Sequence, residues 1–201
     1  MANVDSPFGL RPVRYLNGAP WNGQVSRYLL DSGNGTATFI GDLVVVAGSA
    51  GAQGSVVQGV PTSGMPTIAQ GVAGTGPFVG VVVGFEPLLS DLSVKHRLAS
   101  TSRVALVCDD PNVIFEIQEV SGGTALTVDE VSLNANVVVA AGSTVTGLSG
   151  MELNNGSEAG TVTLDLKILR LALREDNAIG EHAKWEVLIN NHSFRPGSTG
   201  L

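Results

Sequence analysis

The side chains able to do chemistry are few, and their spacing suits none of the common reactions. Nucleophilic catalysis needs a serine or cysteine beside a histidine that a carboxylate orients. The chain has one cysteine and three histidines, His96, His182 and His192. Cys108 ends the apolar run 104–108, where a thiolate is disfavoured, so it reads as a small buried hydrophobe. No Gly-x-Ser-x-Gly elbow is present. His182 and His192 flank the last β-prone run, with Asp176 and Glu181 close by. Their spacing of ten gives no helical ligand pair, and no second cysteine supports a zinc site. Asp109-Asp110-Pro111-Asn112 offers oxygens to calcium but lacks the length of a calcium loop, and reads as a solvated turn. The stretches 48–54 and 71–76 are glycine-rich, yet no helix pattern follows to complete a phosphate site. The sequence therefore predicts no catalytic, cofactor-binding or metal-ligating residues, and no enzyme.

Charge narrows the partners. The net charge is −7, and no Lys or Arg occurs between Arg103 and Lys167, a gap that holds nine acids. A broad acidic field disfavours direct contact with nucleic acid. The opening residues carry no basic and apolar signal segment, and no run approaches the ~20 apolar residues that span a bilayer. The expectation is a protein made in the cytoplasm without a membrane partner. Charged residues make up only 14% of the chain, against about 25% in typical soluble domains. Either polar uncharged loops solvate the surface, or much of it is covered in an assembly.

The elements that would position these groups read as all-β. Residues 103–118 set the pattern: an apolar strand, a turn at 109–112, then a strand in which Val113, Phe115 and Ile117 alternate with Glu116 and Gln118. The first strand is apolar on both faces and needs cover on both sides, whereas the second shows one wet face. Residues 28–100 hold short β-prone runs between glycines, eleven of them from Gly41 to Gly84, which suggests a small barrel or sandwich. Residues 86–99 are the best helical candidate, with Leu88 and Leu92 sharing a face. In 161–173, Val162, Leu164, Leu166 and Ile168 alternate with polar residues until the phase slips at Ile168-Leu169, which predicts a bulge. A last strand is expected at 185–190 and a loose tail at 195–201. The expected domains are an N-terminal arm (1–27), a glycine-rich β domain (28–100) and a second β domain (101–201).

The arm combines opposites. Pro7, Pro12, Pro20 and two Asn-Gly pairs interrupt regular structure, yet Phe8, Leu10, Val13, Tyr15, Leu16 and Trp21 are too apolar for a solvated tail. Arg11, Arg14 and Arg27 make it the most basic stretch of an acidic protein. It either packs over its own domain or docks as an extended arm on a neighbour or partner. Aromatic residues and arginine dominate binding hot spots, so Phe8, Arg11, Arg14, Tyr15 and Trp21 are the candidate interface residues.

Several stretches resemble small virion proteins encoded beside the major capsid gene of tailed bacteriophages. They are residues 2–14 (ANVDSPFGLRPVR), 109–118 (DDPNVIFEIQ), 150–153 (GMEL), 174–177 (REDN) and 185–192 (WEVLINNH). The resemblance implies a capsid decoration, or cement, protein: a β-rich homotrimer stapled to the outside of an icosahedral shell, with the major capsid protein as partner. It transfers no catalytic residue. The alternatives are a tail-tube or head–tail connecting protein built as a hexameric ring, and, further off, a glycan-binding module or hydrolase.

Overall fold

A computed structural model describes residues 3–200. Met1, Ala2 and Leu201, at the ends of the expected arm and tail, lie outside the described residues. The chain is all-β. Its strands run β1 (Arg11–Tyr15), β2 (Ser26–Leu30), β3 (Leu43–Ala50), β4 (Val56–Val57), β5 (Val60–Pro61), β6 (Pro66–Gln70) and β7 (Gly80–Phe85). They continue with β8 (Arg103–Cys108), β9 (Val113–Gln118), β10 (Asn134–Ala135), β11 (Val137–Val138), β12 (Glu152–Leu153), β13 (Leu166–Leu171) and β14 (Lys184–Ile189). A 3-10 turn at Val128–Glu130, capped by Thr127, is the only helical element among the described residues. No helix among them is long and apolar enough to cross a membrane.

Five strands close a barrel in the order β2-β6-β3-β7-β8, with β8 pairing back to β2. Five others form an antiparallel sheet in the order β1-β9-β14-β13-β10. The period of two decides which residue goes where. Val44, Val82 and Val107 point into the barrel beside Tyr28, Leu30 and Ile68. Their neighbours Leu43, Val81 and Cys108 point out of it, into a larger core with Phe115, Ile117, Leu166, Ile168, Trp185 and Val187 of the sheet. One wall thus serves two cores, which is why β8 is apolar on both faces.

That arrangement corrects the expected domains. β8 and β9 are consecutive but do not pair: the 109–112 turn carries the chain from the barrel into the sheet. The barrel therefore extends past residue 100 to Cys108, and the sheet takes its edge strand β1 from the supposed arm. β9 has no wet face either, because Glu116 and Gln118 are buried by ion-pair and hydrogen-bond partners. The Leu169 bulge is present, as a register shift between Ile168 and Arg170. The strand begins only at Leu166, since the Asp165 carboxylate is committed to the backbone N–H groups of Gly74 and Val137.

Residues 86–99 are not helical. Arg103 draws the carbonyls of Glu86, Val94 and His96 to its guanidinium, and the buried Arg97 gathers those of Asp31, Thr36 and Thr101. The three carbonyls bound by Arg103 lie within the segment and are drawn away from a helical ladder, and Leu92 is left 77% exposed. The described part of the tail is not loose. Ser198 N donates to Asn190 Oδ1, its carbonyl accepts from Asn134 Nδ2, and Gly200 N donates to Gly160 O.

Candidate functional site

The N-terminal segment is seated by backbone contact. Gly9 (φ +71°) and Gly41 (φ +97°) lie face to face, and a Cβ on Gly41 would run into the Phe8 carbonyl. Leu10 N donates to Gly41 O at 2.9 Å. This contact buries Phe8 and Leu10 and delivers β1 to the edge of β9, pairing Arg11 with Glu116 and Pro12 with Phe115. Beyond Tyr15 the chain turns through Gly18 and folds back, so that Trp21 N donates to Val13 O. The arm is thus a strand and return turn on its own chain, because Leu10 and Pro12 meet apolar surface there.

Between this segment and the barrel lies an apolar groove of about 330 Å³, walled by Phe8, Leu10, Arg11, Pro12 and Trp21 on one side and by Ile40, Val82, Val83 and Leu148 on the other. The Arg11 guanidinium sits 4.4 Å over the Phe8 ring, a cation–π contact that holds the charge at the lip. Arg11 has no carboxylate partner among the described residues. Three of the five candidate interface residues are therefore brought together. Arg14 and Tyr15 are not. Arg14 reaches Glu186 at 2.5 Å on the outer face of the sheet, and the Tyr15 hydroxyl donates to Gln24. Glu186 also receives Arg170 at 2.8 Å. Burial pushes its carboxyl up, but the two arginines outweigh that and hold it below the ordinary range. Sequence reasoning missed Ile40, Val82, Val83 and Leu148, which carry no signal beyond apolarity.

The buried titratable groups serve packing. Burial pushes the Cys108 thiol up to about 12, so it stays protonated at neutral pH. Glu119 accepts from Leu126 N, Asn155 Nδ2 and Trp185 Nε1, tying the 120–126 loop to the core of the sheet. Among the described residues no serine, threonine or cysteine hydrogen-bonds a histidine: His192 accepts from Phe194 N, and His182 meets Gln118. His182 and His192 do not converge, and the turn at 109–112 is closed by Asp110 bonding Asn112. Set against known proteins, the chain matches no family model, no curated protein and no solved structure.

Proposed function

We propose that the chain is a structural virion protein that decorates and cements the outside of an icosahedral phage capsid as a homotrimer, with the major capsid protein as its partner. The resemblance of its sequence motifs to decoration proteins supports this reading, as does its low charge content, which suits burial between copies. The observation that carries it is the groove. Phe8, Arg11 and Trp21, residue types that anchor interfaces, line one concave apolar surface on a β scaffold. A short apolar segment of a shell subunit would fill it, with Arg11 meeting a carboxylate at the rim.

The test is co-sedimentation of the purified protein with expanded shells, alongside light scattering for mass. Wild type is expected at three times the 20.6 kDa chain mass and bound to shells. Trp21→Ala and Arg11→Glu are each expected to lose at least about tenfold in shell affinity. Deletion of the whole segment is the wrong variant, because it removes an edge strand and Leu10 from the core. Normal shell binding by both point variants overturns the assignment of the groove, and a hexameric mass moves the protein to the tail.

A further inference from the structure

Residues 3–6 are fastened to the opposite end of the sheet edge. Asn3 Nδ2 donates to the carbonyls of Ala178 and Glu181 at 2.8 and 2.9 Å, and Ala178 N returns a bond to Asn3 Oδ1. Ser6 N donates to Gln118 Oε1 at 3.0 Å. Between these anchors Asp5 is delivered to Glu152 on β12 and to His182, two residues ahead of β14. One donor atom from each of the three lies within 4.8 Å of the other two, and His182 Nδ1 is 3.6 Å from Asp5 Oδ1.

Gln118, fully buried at the end of β9, turns its amide nitrogen into this cluster. Nε2 donates to Asp5 Oδ1 at 3.0 Å and Glu152 Oε1 at 2.9 Å, and stands 3.5 Å from His182 Nδ1. An amide nitrogen carries two hydrogens, and the two carboxylates take both, so the unprotonated His182 Nδ1 receives none. Asp5 Oδ2 and Glu152 Oε2 take no hydrogen bond among the described residues. The arrangement gathers two carboxylates and an imidazole within 4.8 Å of one another, with a buried amide that holds one oxygen of each carboxylate and leaves the other free for an ion. It also concentrates two negative charges with only an amide and an imidazole to balance them.

We propose that Asp5, Glu152 and His182 bind a divalent transition-metal ion of the zinc type. One nitrogen and two oxygens suit such an ion, whereas calcium and magnesium favour all-oxygen sites. Asp5, on the exposed side, leaves room for water to complete the coordination. The ion clasps the N-terminal segment to the loop before β14 and so holds in register the strand that walls the groove. The site stands independently of any capsid role.

The experiment is calorimetric and thermal titration of the full chain with Zn²⁺, with Ca²⁺ and EDTA as controls. At about 100-fold excess over Kd, Zn²⁺ is expected to raise Tm by roughly 5–10 °C, and Ca²⁺ to do nothing. Glu152→Gln keeps an acceptor for Gln118. His182→Asn tolerates the left-handed backbone at this position (φ +60°). Both are expected to fold and to lose at least about tenfold in Zn²⁺ affinity. In wild type the metal is expected to move the ring signals of His182 and spare those of His96 and His192, which are buried. No shift in wild type, an equal response to Ca²⁺, unchanged affinity in both variants, or movement of another histidine would each overturn the proposal.

Discussion

Acidification should find its weakest point at His192. The ring is 3% exposed. Its Nδ1 accepts from Phe194 N at 3.0 Å, so in the neutral ring the proton sits on Nε2, which is buried without a partner. Protonation would place a second donor against the Phe194 N–H and a charge in the core. Burial pushes the imidazole down to about 4, and Arg195 adds to this against the weaker pull of Asp109 and Asp110. The folded pKa lies below the unfolded value of about 6.5. The stability this group contributes is therefore complete above pH 6.5 and is lost as pH falls towards 4. A gap of roughly 2.5 units corresponds to about 3 kcal/mol. The buried carboxylates of Asp42, Glu119, Glu152 and Asp165 act in the opposite sense, since burial raises them and their contribution is lost as pH rises. Comparison with His192→Gln removes that background, which both proteins share. In urea unfolding, the stability difference between wild type and variant should shrink by about 3 kcal/mol between pH 7.5 and 4. A difference that stays constant, or an NMR titration placing His192 above pH 6, would refute the reasoning.

Arg97 is fully buried and bonds only carbonyls. Arg97→Met strands the carbonyls of Thr36 and Thr101 at about 1–3 kcal/mol each, while Asp31 O keeps its bond from Asn34 N, so a loss of at least about 2 kcal/mol and a fall in Tm of at least roughly 5 °C are expected by calorimetry. An unchanged Tm would mean that the carbonyls find other partners. Gly41→Ala should cost about 1–3 kcal/mol through its left-handed backbone and push Phe8 off the barrel. A shift in Trp fluorescence together with a lower urea midpoint would report it, and an unaltered midpoint would count against the glycine seat.

The all-β class was legible because glycines and β-branched residues punctuate the chain at strand spacing. So was the bulge at Leu169, because a phase slip in an alternating run can be accommodated locally. Long-range partnership was not legible. Glu116 and Gln118 look wet in sequence, yet Arg174, Asp5 and Glu152 reach them from 34 to 113 positions away. The same distance hid the cluster around His182, whose other members sit near the start of the chain and on a two-residue strand. Apolar spacing at 86–99 suggested a helix because the buried Arg103 guanidinium that collects its carbonyls leaves no periodic trace. Half of the groove was visible as a run of aromatics and arginines, and the half made by the barrel was not.

The shared wall has a consequence for how the molecule comes apart. Leu43, Val81 and Cys108 cannot leave the larger core without disturbing Val44, Val82 and Val107, their neighbours along the same backbone. Barrel and sheet therefore have no separable free energies of unfolding, and the chain loses both in a single transition. No fragment ending between Leu43 and Cys108 carries the whole shared wall, so none inherits an intact core by itself.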